Sequence, residues 1–180
     1  MLVLADPAHR DHNPDPDRGY PEIPGRVAAI REALSATGLA IEEHHGEAQD
    51  VLRNIHPPEM FVYLEAFSAA VPEAATRYPE IHRTSALPDP ARMGRPPGFT
   101  HGYCFDQTPL TTGTARAALA AANLAIEGAE RLLGGIHRVY CLCRPPGHHA
   151  GSDFFGGFCY LNNAALAAQR LSRGGKVAIL

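Results

Sequence analysis

The chain has no tryptophan, only three methionines and only four cysteines among its 180 residues. The cysteines, Cys104, Cys141, Cys143 and Cys159, follow none of the spacings that are typical of a disulfide framework. We therefore expect reduced thiols, which favours a cytoplasmic protein.

A long apolar run and an excess of basic residues are also missing. No stretch of eighteen or more apolar residues occurs, which argues against a membrane span. The formal net charge is -3 and the sequence pI is about 6.3, so we expect no nucleic acid as an obligate partner. The first five residues are too short an apolar segment for a signal peptide and lack a basic start.

The residues that are present suit one folded domain with long loops. Hydrophobic residues make up 45% of the chain, which is enough for a core in an ordinary domain of this length. The 16 prolines and 17 glycines concentrate between the predicted helices and strands, which indicates long connecting loops rather than disorder.

The most informative segment reads Cys-Arg-Pro-Pro-Gly-His-His-Ala at residues 143–150, followed by Gly-Gly-Phe-Cys-Tyr-Leu-Asn-Asn at residues 156–163. It places His148 and His149 side by side in a Pro/Gly loop after an apolar strand. Successive side chains of an extended segment point to opposite faces, so neighbours rarely bind one metal ion. The pair suits proton transfer, in which one imidazole accepts a proton from water and the other donates one to a leaving group. A loop with two solvated histidines is the alternative that the spacing leaves open.

This signature resembles that of the zinc-dependent histone deacetylase superfamily, and within it the bacterial acetylpolyamine amidohydrolases and deacetylase-like amidohydrolases. Three other segments match in the family's order. They are a Pro-Glu-x-Pro-x-Arg segment within residues 18–31, a His-x-x-x-aromatic segment within residues 54–67, and an Asp-x-x-Pro segment within residues 105–114. The segment at residues 143–163 is the long and specific one.

The resemblance implies a zinc enzyme whose metal ligands follow the segment at residues 176–180. We therefore expect residues 1–180 to be the N-terminal portion of one deacetylase-like domain, with no zinc site of its own. Two substitutes within the chain are disfavoured, a His-x-x-His pair at His9 and His12 and a thiol pair at Cys141 and Cys143. A catalytic zinc site needs three converging protein ligands, and the thiols lie in an apolar run where cysteine usually behaves as a small hydrophobe.

The resemblance also implies roles for individual residues. His148 matches the histidine that accepts a proton from the attacking water, and His149 matches the histidine that donates one to the departing amine. Gly157 and Phe158 match the wall of the substrate tunnel, where a glycine lets the backbone approach an aliphatic chain. For Phe158, plain core packing stays open as an alternative.

Acidic residues give weaker indications. Asp106 matches a rim aspartate that accepts hydrogen bonds from the substrate backbone, but a turn residue before Thr108 is an equal alternative. Asp15 and Asp17 lie where the polyamine branch carries acidic rim groups, although a solvated Asp-Pro loop is favoured. No glutamate occurs between residues 83 and 114, which departs from the polyamine enzymes. We assign structural or packing roles to His56, Cys159 and Asn162.

Apolar periodicity and terminating residues predict the secondary structure. Strands are expected at residues 1–5, 39–45, 137–143 and 177–180, and helices at residues 25–37, 48–55, 57–70, 112–133 and 158–172. The fourth helix is expected to be capped by Thr112 or Thr114 and to end at Gly134. Residues 72–109 show no clear period and are expected to form a rim or interface loop.

The order of these elements predicts an α/β fold in which a parallel sheet is flanked by helices. The resemblance implies the arginase/deacetylase arrangement, with catalytic loops at the carboxyl ends of the strands. The strand at residues 177–180 would be an exposed edge. The chain is therefore expected to form a homo-oligomer or to associate with the missing half of the domain.

Two functions follow as hypotheses. In the first, the intact protein is a zinc-dependent amidohydrolase that deacetylates a small acetylated amine, such as an acetylpolyamine, or acetyl-lysine. In the second, the chain is a metal-free, non-catalytic binding or interaction module.

Overall fold

The computed structural model describes residues 1–16, 19–46, 52–79, 92–93, 98 and 102–180. In chain order these residues form strand β1 (Leu2–Ala5), a 3-10 turn (Pro7–Asp11), helix α1 (Gly25–Ala36), β2 (Ile41–Glu43), α2 (Pro58–Ala70), β3 (Tyr78–Pro79), β4 (Arg92–Met93), α3 (Thr114–Leu133), β5 (Val139–Cys141) and α4 (Asn163–Leu171). The first half of the helix predicted at residues 48–55, much of the loop predicted at residues 72–109, and Asp17 lie outside the described residues.

The main sheet is parallel, with β1 between β2 and β5. Val3 lies opposite Ile41 on one side and opposite Tyr140 on the other. Val3, Leu4 and Ala5 are completely buried, as expected for a central strand that is covered on both faces. The predicted strands at residues 1–5, 39–45 and 137–143 are confirmed, each somewhat shorter than expected.

Helices cover both faces of this sheet. On one face Ala5 and Leu142 pack against Val27 of α1. On the other face the thiol of Cys141 donates to the carbonyl oxygen of Leu124 in α3, at 3.4 Å. Since side chains alternate between faces along an extended segment, Cys141 and Leu142 face different helices. The predicted α/β architecture is confirmed.

The larger core lies among α2, α3 and α4. Helix α2 contributes Met60, Tyr63, Leu64 and Phe67, all nearly inaccessible to solvent, and α4 contributes Leu166. Helix α3 faces them with alanines, which let the helices approach closely. Burying one Leu or Phe side chain contributes about 1.5–3 kcal/mol to folding, so this cluster is the main stabilising unit. No helix in the described part of the chain combines the length and hydropathy that crossing a membrane requires.

The start of α3 differs from the prediction. Its N-cap is Gly113, without a side-chain cap, rather than Thr112 or Thr114. A Cβ at Gly113 would overlap the carbonyl of Asp11, so the close approach of the 3-10 turn requires glycine there. The Thr114 hydroxyl instead accepts a hydrogen bond from the backbone N–H of Thr111, at 2.7 Å.

The last helix and the last strand also differ from their predictions. Helix α4 begins at Asn163 rather than at residue 158, because Asn162 caps it by accepting from the Ala165 N–H at 2.9 Å. Residues 177–180 form no strand and are exposed. They make no ladder hydrogen bonds, so apolar β-forming residues alone did not produce a paired strand.

Candidate active site

The site lies in the loop between the carboxyl end of β5 and α4, residues 142–162. His148 and His149 are both exposed, and the centroids of their rings are 4.3 Å apart with an interplanar angle of 56°. Catalytic loops are expected at this end of a parallel strand. Two imidazoles this close together can serve one reacting group from adjacent positions.

The turn at Gly157 and Phe158 lies directly against His149. A Cβ at Gly157 would be 2.5 Å from Cδ2 of the His149 ring, so only glycine allows this approach. Both residues have left-handed backbone angles, with φ of 57° and 66°. For Phe158 this conformation costs about 1–2 kcal/mol, so other contacts must hold the turn.

Asp106 and Thr108 supply those contacts. Asp106 Oδ2 accepts from the Gly157 N–H at 2.6 Å, and the Thr108 hydroxyl accepts from the Phe158 N–H at 3.0 Å. The Thr108 hydroxyl in turn donates to Asp106 Oδ1 at 2.6 Å. Both carboxylate oxygens of Asp106 are therefore engaged within the chain. These contacts favour the turn interpretation of Asp106, while its predicted contact with substrate stays a prediction.

Phe158 is half-buried, and its ring meets the edge of Tyr20 with centroids 4.7 Å apart. The five predicted site residues, His148, His149, Gly157, Phe158 and Asp106, are thus brought together in one place. Asp15, the other acidic candidate described, is exposed, and its backbone N–H donates to the Thr76 hydroxyl at 2.7 Å.

His56 fastens the far part of the loop. Its Nδ1–H donates to the carbonyl of Ser152 at 3.1 Å, and its Nε2 accepts from the Asn162 N–H at 2.9 Å. This arrangement needs the neutral ring, and burial lowers the pKa of His56. Asn162 adds a bond from its side-chain amide to the carbonyl of Ala150, at 2.8 Å. The structural roles predicted for His56 and Asn162 agree with these contacts.

Arg144 is a residue that the sequence interpretation missed. It is 2% exposed and its guanidinium contacts the carbonyls of His9, His12 and Glu22, at 2.5, 2.7 and 2.6 Å. It also forms an ion pair with the Glu22 carboxylate, with Nε and Oε2 2.8 Å apart. Burial raises the pKa of Glu22 and lowers that of Arg144, and the opposite charge of each partner counters both effects. The available signal was a lone arginine between an apolar strand and two prolines.

His12 forms a second buried polar group beneath the site. Its Nδ1 is 2.9 Å from the Thr114 hydroxyl, and its Nε2 is 3.1 Å from the Tyr20 hydroxyl and 3.4 Å from that of Tyr160. Burial, with a smaller effect of Arg144, lowers the pKa of His12 to about 3. This histidine is therefore neutral at physiological pH and ties Tyr20, which contacts Phe158, to the start of α3.

The zinc ion implied by the resemblance would need three converging protein ligands in a catalytic site. Among them, no group of three or more His, Cys, Asp or Glu residues is arranged to hold a metal ion. Burial raises the pKa of the Cys141 thiol to about 11 and raises that of Cys143 as well, and both thiols donate to backbone carbonyls of α3. The described part of the chain therefore does not by itself fit a zinc ion, and the predicted ligands after residue 180 stay a prediction.

Comparison with protein families gives a match to the family described as "Histone deacetylase domain" over residues 20–180. Acetylpolyamine amidohydrolase 2 of Pseudomonas aeruginosa is 53% identical over 81 residues, which are 43% of this chain and 24% of that protein. The acetylpolyamine amidohydrolase of Burkholderia pseudomallei is 35% identical over 172 residues, covering 88% of this chain and 48% of the relative.

Comparison of folds gives a similar result. The crystal structure of an acetylpolyamine aminohydrolase from Burkholderia pseudomallei superposes with a TM-score of 0.76 at 28% identity, over 96% of this chain and 53% of the other. The HD domain of HDA15 superposes with a TM-score of 0.71 at 26% identity, over 97% of this chain and 45% of the other. The chain thus spans about half the length of such relatives.

Proposed function

Since this chain belongs to the histone deacetylase domain family, we propose that the intact protein is an amidohydrolase that removes the acyl group from an acylated amine. Its relatives named as acetylpolyamine amidohydrolases support an acetylated amine as the substrate class. These relatives favour an enzyme, and nothing in the comparisons favours a non-catalytic module.

The observation that carries the proposal is the exposed imidazole pair at the carboxyl end of β5. His148 accepts a proton from the attacking water while the oxygen bonds to the acyl carbon. His149 donates a proton to the amine nitrogen as the carbon–nitrogen bond breaks. The products are a carboxylate and an alkylammonium ion. In net terms the amine nitrogen takes up both protons of the water, and the proton that His148 accepted replaces the one that His149 donated, so atoms and protons balance. General acid and base groups of this kind each contribute about 100- to 10,000-fold to a rate.

The turn at Gly157 and Phe158 provides the surface for the substrate. The half-buried ring of Phe158 follows Gly157, which lies directly against His149, and this position suits an aliphatic chain leading to the amide. Asp106 acts on the reaction through this turn, because its carboxylate holds the Gly157 N–H rather than pointing freely outward. Zinc is the cofactor that we propose for the intact protein.

The test uses the intact protein and an acetylated alkylamine, with release of acetate as the measured quantity. His148→Ala and His149→Ala are each expected to lower kcat by about 100-fold or more. His137→Ala is the matched control, because His137 is an exposed histidine in the turn before β5. Normal turnover in either variant of the pair would contradict the assignment.

A further inference from the structure

Arg144 occupies a position that is costly for a guanidinium. Its side chain is 1% exposed, and the Glu22 side chain that faces it is 8% exposed. Removing a charged group from water is unfavourable unless its donors are matched by acceptors. Here three N–H donors meet carbonyl oxygens and Nε faces a carboxylate. The site is thus built around this side chain.

The acceptors all belong to the segment between β1 and α1. The carbonyl oxygens come from His9, His12 and Glu22, which lie 135, 132 and 122 positions from Arg144 in the sequence. One planar guanidinium therefore joins three points of the early loop, the segment between β1 and α1 at residues 6–24, to the beginning of the His148–His149 loop. The guanidinium holds its N–H donors in a fixed planar fork, so it can bind the three carbonyl oxygens in only one arrangement. The ammonium group of a lysine, on a flexible stem, cannot reproduce this arrangement.

The start of α4 also holds the loop segment at residues 144–147. The carbonyl of Pro145 accepts from the side-chain amide of Asn163 at 3.2 Å. A Cβ at Gly147 would overlap the carbonyl of Leu161, so the chain passes close to the start of α4. The contacts of Arg144 and Asn163 therefore both hold the segment at residues 144–147, immediately before His148.

We infer that Arg144 is a positioning residue, whose buried guanidinium sets the placement of His148 and His149 by fixing the start of their loop to the early loop. This inference rests on the proposed function, because placement matters to the rate only if the pair transfers protons. Because a buried ion pair adds little net stability over a well-packed apolar alternative, we assign this pair a geometric role. Lysine keeps the positive charge and loses the fixed fork of donors, so Arg144→Lys tests geometry rather than charge.

The first experiment compares Arg144→Lys with Arg131→Lys in the intact protein. Arg131 is the matched control because it also forms ion pairs, with Glu42 and Glu127, but does so at the surface of α3. Arg144→Lys is expected to lower kcat about 100-fold, the effect of a small misplacement, with KM little changed. Arg131→Lys is expected to leave both constants at their normal values. A folded Arg144→Lys variant with normal kcat overturns the inference.

A second readout separates this inference from the proposed function. The imidazole NMR signals of His148 and His149, assigned with single-histidine variants, are expected to shift in Arg144→Lys and not in Arg131→Lys. If the intact wild-type protein has no amidohydrolase activity, the proposed function is refuted. Shifted signals in Arg144→Lys would in that case still support the positioning role. Unshifted signals would refute the positioning role whatever the activity. If Arg144→Lys does not fold, the double variant Arg144→Gln/Glu22→Gln replaces it, since it removes the fork of donors without leaving an unpaired buried charge. Unshifted signals in this variant overturn the inference.

Discussion

At the scale of single residues, the site depends on side chains that hold the backbone of the loop between β5 and α4. Asp106 and Thr108 stabilise the left-handed turn that brings Gly157 against His149, and His56 fixes the loop beyond it. None of these side chains needs to touch a substrate to affect the reaction. Their contribution can be measured as a change in the free energy of unfolding when each side chain is replaced.

Asp106→Ala is expected to destabilise the protein by about 1–3 kcal/mol, since two hydrogen bonds to a charged acceptor are lost. Asp153→Ala is the matched control, because Asp153 is exposed and meets only the Ser152 hydroxyl at 3.4 Å in the described contacts. That change should stay within about 0.5 kcal/mol. Urea unfolding measures both values, and equal stability of the two variants would show that Asp106 does not hold the turn.

The buried histidines predict how stability depends on pH. Burial lowers the pKa of His12 from 6.5 to about 3 and that of His9 from 6.5 to about 4. As the pH falls below 6.5 the unfolded chain therefore binds protons that the folded chain does not, and the free energy of unfolding decreases. The loss due to His12 extends from about pH 6.5 to about pH 3, and none is added below both values.

His12→Gln removes one such group and should make the slope of unfolding free energy against pH shallower, by up to about 1.4 kcal/mol per pH unit. His137→Gln, which changes an exposed histidine outside the core, is the matched control for replacing a histidine by glutamine. The measurement is chemical unfolding between about pH 4 and about pH 6, a range that lies inside the His12 window. An unchanged slope in His12→Gln would contradict a neutral buried His12.

At the scale of helices and strands, the close packing of α3 on β5 gives a sharp test. A Cβ at Gly128 would overlap the Cys141 sulfur and lie 3.4 Å from Cγ1 of Val139. Alanine is favoured over glycine in a helix by about 1 kcal/mol, whereas overpacking a core costs about 1–3 kcal/mol. We expect Gly128→Ala to be destabilising overall, by about 1 kcal/mol.

The control for that change is Gly25→Ala in α1. There a Cβ would lie 3.7 Å from Cδ1 of Ile23, which is an ordinary contact. This variant should be neutral or more stable by up to about 1 kcal/mol. Thermal unfolding compares the two, and a stabilised Gly128→Ala would mean that α3 does not press on β5 as closely as described.

The same scale shows why some elements could be predicted from the sequence and others could not. Helices α2 and α3 carry long local patterns of apolar residues, and their bounds were predicted to within one or two residues. The start of α4 was misplaced because the preceding turn is held by Asp106, 51 positions away. Residues 177–180 have a strand-like composition, but a strand also needs a neighbour to pair with.

At the scale of the whole molecule, the family and the fold could be predicted from one long signature, whereas the connections around it could not. His148, His149, Gly157 and Phe158 all belong to that signature. Arg144 belongs to it too, but its importance lies in hydrogen bonds to backbone carbonyl groups more than 120 positions away. Because every residue type has a backbone carbonyl, these partners cannot be identified from the sequence. Long-range contacts to the backbone are what the sequence does not reveal.

The central claim is that His148 and His149 have different proton-transfer roles, and leaving-group dependence in the intact protein tests it most directly. The measurement is kcat/KM for an acetylated alkylamine and an acetylated arylamine with the His148→Ala and His149→Ala variants. An arylamine leaves with less need of a proton, so His149→Ala should lose much less activity on it than on the alkylamine. His148→Ala should lose about the same factor on both substrates. Equal losses for His149→Ala on the two substrates would contradict the account.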